Sequence, residues 1–158
     1  MEKKIHKSDE THRFWFPLDN AAKIFPAVLT KEFSGVFRLS AVLKKAVRIG
    51  PFFKAVSLAE DRFPYFKVQL KKGFFWYYLE QVSSHIPVEV DVNRPCRKFS
   101  GNMPLIRILV QDNKISVECS HILSDGTGTF EFLKLGPGTT QAALAIFGQP
   151  PAPPCTPD

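Results

Sequence analysis

Two short apolar runs joined by a polar connector limit the folds open to this chain more than any other feature. The runs are PLIRILV at 104–110 and ISVECSH at 115–121, and the connector at 111–114 consists of turn-forming residues. This pattern predicts a β-hairpin. Side chains alternate between the two faces of a strand, and the apolar parity of the second run ends at His121. We therefore expect the second strand to lie near the centre of a sheet, with His121 at the end of its core-facing side.

The segment SHILSDG, residues 120–126, places a histidine four residues before a carboxylate and a glycine. A partly desolvated imidazole stays neutral, as a general base must. Gly126 permits a sharp turn, and Asp125 or Thr127 is placed to cap a helix that begins near Gly128. A structural histidine followed by an ordinary Asp-Gly turn fits the same spacing. A Ser120-His121-Asp125 triad is rejected, because adjacent strand residues point to opposite faces.

The rest of the chain predicts further helices and strands. Helices are predicted at 13–26, capped by Asp19 or Asn20 and closed by Pro26, and at 51–62 with Phe52, Val56 and Ala59 on one stripe. A strand is predicted at 32–43, and another at 86–92 on a sheet edge. Two further strands are predicted to form a hairpin over 63–80, and we expect the aromatic residues of this hairpin to lie in the core. The predicted fold is α/β (α+β), a two-layer sandwich with a mixed β-sheet and helices on one side. Residues 1–135 form the predicted domain, and 136–158 a proline-rich, extended or disordered tail.

Composition excludes several classes of function. The chain has 158 residues, 44% of them hydrophobic, and no apolar run long enough to span a bilayer. Its three cysteines, an odd number, favour a reducing cytoplasm over a disulfide framework. Cys119 and His121 lack further apparent metal ligands, so no metal is expected. The segment 71–80 begins like an RNA-recognition strand but has Phe75 where that motif needs a small residue, so nucleic acid is not expected either.

Together these segments resemble the chloramphenicol-acetyltransferase-like superfamily, which includes condensation domains, plant BAHD acyltransferases and alcohol acetyltransferases. His121 to Gly126 match its H-x-x-x-D-G signature. The longer ordered set is most similar to bacterial alcohol acetyltransferases, and the resemblance covers about residues 12–135. The segments that carry it are FWFPLDNAAKIFP, FRLS, RFPYFKVQLKKGFFWYYLE, Arg94-Pro95-Cys96, and PLIRILV leading into SHILSDGTG.

The resemblance implies an acyltransferase in which His121 is the general base. Asp125 would be architectural and hold an arginine, for which Arg13, Arg38 and Arg107 are the candidates, and Gly126 would shape the turn. The acyl donor would be a CoA or carrier-protein thioester, and the acceptor a small alcohol or amine. No metal, no further cofactor and no covalent intermediate are implied. The residues that would bind the donor are not identified.

The chain departs from the family in two places. Ser120 stands where many members have a second histidine before the catalytic one. Family members are also pseudo-dimers of two similar halves, and this chain resembles the first half only. We therefore expect little activity from it alone, and a partner that is either a C-terminal half or a second copy bound through an exposed face. The alternative is a non-catalytic remnant or binding module of the same fold.

Overall fold

The computed structural model describes residues 14–20, 22–28 and 34–135. The predicted tail at 136–158 and the start of the first predicted helix lie outside these residues. Seven strands are described: β1 Trp15–Pro17, β2 Val36–Val42, β3 Val68–Lys72, β4 Tyr77–Gln81, β5 Val88–Val90, β6 Ile106–Gln111 and β7 Lys114–Ser120. Three α-helices are described: α1 Phe25–Val28, α2 Ile49–Arg62 and α3 Gly126–Leu135. Single 3-10 turns at Ala22–Ile24 and Pro64–Phe66 precede α1 and β3.

A four-stranded mixed sheet in the order β2-β7-β6-β5 forms the frame of the molecule. β6 and β7 make the predicted antiparallel hairpin, and β5 joins its edge parallel to β6. Asp112 adopts a positive φ of 49° in the connecting turn, a conformation that Asp tolerates better than most residues. β7 lies between β2 and β6, so the expectation of an interior strand is confirmed, although the strand ends at Ser120, one residue before His121.

One face of this sheet is covered by α2 and α3. The main apolar cluster contains Phe52, Val56 and Ala59 of α2, as the helical stripe predicted. Phe132 of α3 joins them, and β7 contributes Ile115, Val117 and Cys119, the parity that also leads to His121. The histidine therefore lies at the rim of the helix-covered side of the sheet. The α+β architecture expected from the sequence is the one observed.

A second, three-stranded sheet in the order β1-β4-β3 lies beside the first. Its β3 and β4 form the hairpin predicted within 63–80. A smaller apolar cluster of Leu18, Ala22, Leu105 and Ile122 gathers residues from near β1, β6 and β7. Among the described helices, all are too short or too polar to cross a bilayer.

The prediction of one helix over 13–26 was wrong in its first part. Trp15, Phe16 and Pro17 form a strand that pairs with β4, a contact between distant segments that local propensity does not reveal. The helical part begins only at Ala22, whose N–H donates to Asp19 Oδ1 at 2.6 Å. Pro26 lies at the second position of α1 and does not close it, because proline in a first helical turn removes no intrahelical hydrogen bond.

The prediction that the aromatic residues of 63–80 are core residues was correct for only some of them. Phe63 and Phe66 are buried in the main cluster. Phe74, Phe75 and Trp76 form the loop between β3 and β4 and are 89%, 82% and 63% exposed. Hydrophobicity alone does not distinguish a strand residue from one at the tip of a hairpin, and only the position of the turn decides this.

Candidate active site

His121 is the first residue after β7 and sits between two aromatic rings. Its ring stacks on Phe25 at a centroid distance of 5.2 Å and an interplanar angle of 11°. On β2, Phe37 approaches the same ring at 4.4 Å and 30°. The His121 backbone N–H donates a hydrogen bond to the carbonyl of Gly35, the residue before β2, at 2.9 Å. This hydrogen bond holds the turn after β7 against the start of β2. The imidazole is half-buried, so its position is restricted while part of it still faces solvent.

Burial lowers the pKa of His121 below its ordinary value of 6.5, and the negative charge of Asp125 only partly offsets this. The imidazole is therefore neutral at pH 7 and has a nitrogen lone pair available to accept a proton. A neutral, partly exposed imidazole on a rigid strand end has the properties that proton abstraction requires.

Ser120 points away from this environment. Its side chain is buried on the opposite face of β7, where its Oγ accepts a hydrogen bond from the Ile122 N–H at 3.3 Å. Ser120 also lines an open surface cavity of about 160 Å³ together with Val36, Phe99 and Ile122. This placement agrees with the strand geometry on which the triad was rejected.

Asp125 acts as the N-terminal cap of α3. Its Oδ1 accepts a hydrogen bond from the Gly128 N–H at 2.8 Å, and its carbonyl accepts one from the Thr129 N–H at 3.1 Å. The helix begins at Gly126, two residues earlier than the expected start near Gly128. Both Asp125 and Gly126 are exposed. Through this cap Asp125 determines where α3 begins.

Two of the arginines that the resemblance implied as partners of Asp125, Arg38 and Arg107, bind Glu118 instead. Arg38 Nη2 lies 2.5 Å from Glu118 Oε1, and Arg107 Nε lies 2.5 Å from Glu118 Oε2. Within the described part of the chain, neither Arg38 nor Arg107 forms an ion pair with Asp125, and Arg13 lies outside that part. The cause is strand register, because Arg38 and Arg107 both lie directly opposite Glu118 on the two neighbours of β7.

Glu118 is the residue that sequence reasoning missed. It is 1% exposed and holds two guanidinium groups on the face of β7 opposite His121. The same two arginines reach a neighbouring loop, because Arg38 Nη2 donates to the Arg94 carbonyl at 2.6 Å and Arg107 Nη2 donates to the Arg97 carbonyl. The sequence contained one indication of this network, which is the position of Glu118 within a strongly apolar strand. A buried carboxylate in such a strand needs cationic partners, and adjacent strands can supply them.

Cys119 is fully buried in the main cluster, and its thiol is protonated near neutral pH. Burial raises the pKa of its thiol to about 12, and only a thiolate is a good ligand or nucleophile. Among the described residues no cluster of three or more His, Cys, Asp or Glu side chains has the arrangement of a metal site.

The fold is shared with proteins of known structure. The starter condensation domain of rhizomide synthetase RzmA aligns with a TM-score of 0.60 and 10% identity, over 77% of this chain and 36% of that chain. TRI101 of F. sporotrichioides, solved with coenzyme A and T-2, aligns with a TM-score of 0.51 and 17% identity, over 77% of this chain and 40% of that chain. No family model and no curated protein sequence matches the chain.

These likenesses show that the chain shares the fold of a condensation domain and of TRI101, which is the fold that the resemblance implied. The described residues share the fold of one part of these two chains. The chain spans little more than a third of the length of the condensation domain that it matches.

Proposed function

We propose that this chain is the N-terminal half of an acyltransferase that uses His121 as its general base. The observation that carries the proposal is the placement of that imidazole, half-exposed between Phe25 and Phe37 and with its pKa lowered by burial. The fold is that of acyltransferases, and TRI101 was solved with coenzyme A. The donor would be a CoA or carrier-protein thioester, and the acceptor a small alcohol or amine, as in the alcohol acetyltransferases that the sequence resembles.

The proposed reaction is a direct transfer between two bound substrates. The neutral His121 ring removes the proton of the acceptor hydroxyl as its oxygen attacks the thioester carbonyl carbon. The tetrahedral adduct then collapses, the carbon–sulfur bond breaks, and the leaving thiolate takes the proton back from the imidazolium. The products are an ester and a free thiol, and the enzyme returns to its starting state. A nearby general base of this kind contributes about 10²–10⁴-fold to such a step.

Asp125 would serve this reaction by holding the turn, whereas Gly126, expected to shape it, is the first residue of α3 and has open space where a Cβ would lie. The cap from Asp125 to the Gly128 N–H fixes where α3 begins, and α3 packs through Phe132 on the cluster beneath β7. The segment from His121 to Asp125 is therefore held at both ends, which restricts the histidine to one orientation.

The remaining part of the active site would come from a second half of the same fold or from a second copy of this chain. The chain aligns with 36% of the matched condensation domain. The family that the sequence resembles is built from two similar halves, and this chain resembles the first of them. We propose little turnover by the isolated chain for this reason.

A non-catalytic module of the same fold is the competing function. The hydrogen bonding of Asp125 favours this alternative. Its carboxylate accepts a hydrogen bond from the backbone of α3, and Arg38 and Arg107 pair with Glu118 instead of with Asp125. In such a module the stacking of His121 on Phe25 and Phe37 would serve packing alone.

Release of free thiol from acetyl-CoA, measured with a panel of small alcohols and amines, tests the proposal. The chain is assayed alone and co-expressed with the polypeptide encoded directly downstream. We expect turnover with the downstream polypeptide, or by the chain alone at concentrations at which it self-associates, and in either case a reduction of about 10²–10⁴-fold by His121→Ala. The matched control is His85→Ala, which removes a highly exposed histidine that pairs with Glu60, and it should leave the rate unchanged. Absence of turnover, or equal rates for the two variants, would favour the non-catalytic module.

A further inference from the structure

The loop between β3 and β4 exposes three consecutive aromatic side chains. Phe74, Phe75 and Trp76 are 89%, 82% and 63% exposed. The tip is closed by a hydrogen bond from the Gly73 N–H to the Trp76 carbonyl at 2.7 Å, so the chain turns back at this point. The rings of Phe74 and Phe75 meet edge to face at 4.5 Å and have few other neighbours. Among the described residues, the two most exposed large hydrophobic side chains, Phe74 and Phe75, therefore lie at the end of a hairpin.

Positive charge accompanies these aromatic residues. The segment from Lys71 to Leu79 has the sequence KKGFFWYYL, which contains two lysines and no carboxylate. Lys72 is exposed at the base of the tip, and Lys71 donates to Asn102 Oδ1 at 2.9 Å. Tyr77 and Tyr78 follow as half-buried residues of β4, so the polarity increases from the tip towards the body of the protein. The chain as a whole carries a net charge of +6.

We propose that this hairpin tip inserts into an anionic lipid surface. Trp and Tyr favour the boundary between headgroups and acyl chains, and Phe favours the apolar side of it. Lysines next to the inserted side chains are attracted by anionic headgroups. A narrow tip with almost no contacts to its own fold suits insertion between lipids, whereas a protein interface is typically flat and closely packed. The tip thus binds the chain to a membrane surface without crossing it, and it does so independently of acyl transfer.

Vesicle binding by the full chain tests this inference. The chain contains two tryptophans, Trp15 and Trp76, so the Trp15→Phe variant leaves Trp76 as the single fluorescent reporter. We expect its emission to shift to shorter wavelength with vesicles that contain phosphatidylserine, and to shift less with pure phosphatidylcholine. Cosedimentation with the same vesicles gives the affinity.

Substitutions at the tip separate the apolar from the electrostatic contribution. The Phe74→Ser/Phe75→Ser double variant should bind vesicles at least about tenfold more weakly. Lys72→Gln should weaken binding to phosphatidylserine vesicles by about fivefold. Added salt should also weaken this binding, because it screens the attraction between lysine and the anionic headgroups. The matched control is Phe53→Ser, which removes an exposed phenylalanine from α2 and should leave vesicle binding unchanged.

Two results would overturn the inference. One is a Trp76 emission that does not respond to anionic vesicles. The other is a concentration-dependent dimer of the chain that the Phe74→Ser/Phe75→Ser variant abolishes while vesicle binding is absent, since the tip would then be a protein interface. Circular dichroism of each variant shows whether a loss of binding reflects a loss of fold.

Discussion

At the scale of single residues, the position of His121 links packing to chemistry. The rings of Phe25 and Phe37 exclude water from part of the imidazole, and that burial keeps it neutral and basic at pH 7. The carboxylate of Asp125 acts in the opposite direction on the pKa but with less effect. The same contacts that hold the ring therefore also set its protonation state.

The lowered pKa of His121 predicts how stability depends on pH. Below the ordinary histidine value of 6.5, the unfolded chain binds a proton that the folded chain resists, so this residue's contribution to the free energy of unfolding is present above pH 6.5 and is lost as pH falls. We expect the His121→Phe variant to lose less stability than the wild type between pH 7 and pH 5, as measured by urea unfolding. Ile122→Val, which alters the same turn without a titratable group, should keep the wild-type dependence. If the stability of His121→Phe and that of the wild type depend equally on pH, the lowered pKa of His121 is contradicted.

Glu118 predicts a large effect on stability at a single position. Replacement by Ala leaves the buried guanidinium of Arg107 without its carboxylate partner and leaves Arg38 with only the more distant Asp91, at 3.7 Å, which should lower the free energy of unfolding by about 3–5 kcal/mol. The matched control is Glu89→Ala, which breaks the more exposed pair with Arg97 and should cost less than about 1 kcal/mol. Similar losses for the two variants would show that the Glu118 pairs are not the buried network described.

At the scale of secondary-structure elements, the turn between β7 and α3 connects the strand to the site. Its last residue, Asp125, accepts a hydrogen bond from the Gly128 N–H and so determines where the helix starts. Removal of a helix cap costs about 0.5–2 kcal/mol, whereas an Asn side chain retains the accepting oxygen. We therefore expect Asp125→Ala to destabilise the chain in urea by about that amount and Asp125→Asn to remain close to the wild type. If Asn is as damaging as Ala, the charge of Asp125 matters more than the cap, and an arginine partner becomes the better explanation.

The elements that the sequence predicted well are those with a local signal. The β6–β7 hairpin follows from alternation around a polar turn, and α2 from the helical spacing of Phe52, Val56 and Ala59. β1 was missed because its three residues are all exposed and acquire their strand conformation from pairing with β4. The partners of Glu118 were missed for a related reason, since the register of β7 against β2 and β6 is a property of the assembled sheet.

At the scale of the whole molecule, the fold and the proposed function rest on different observations. The fold rests on the two sheets with helices on one side and on the alignment with a condensation domain over 77% of this chain. The function rests on one residue at the end of the central hairpin. The H-x-x-x-D-G spacing identified that residue, but only the folded chain brings Phe25 and Phe37 to its two sides.

The exposed surface is also a property of the whole molecule. Besides the tip at Phe74 to Trp76, the strand β1 exposes Trp15, and α2 exposes Phe53. A second half of the fold, or a second copy, would be expected to cover part of this surface, while the basic aromatic tip is assigned to a lipid surface. Comparison of vesicle binding with and without the downstream polypeptide separates these two uses of the surface.

The pH dependence of acyl transfer tests the central claim most directly. The rate of thiol release at limiting substrate is measured from pH 5 to pH 9 on the co-expressed halves, and the His121 ring is titrated by NMR in the same protein. We predict that log kcat/KM rises with pH, levels off with an apparent pKa below 6.5, and matches the NMR titration of His121. A rate that follows a group with a pKa above 8, or that keeps its profile in His121→Ala, would contradict the assignment of His121 as the base.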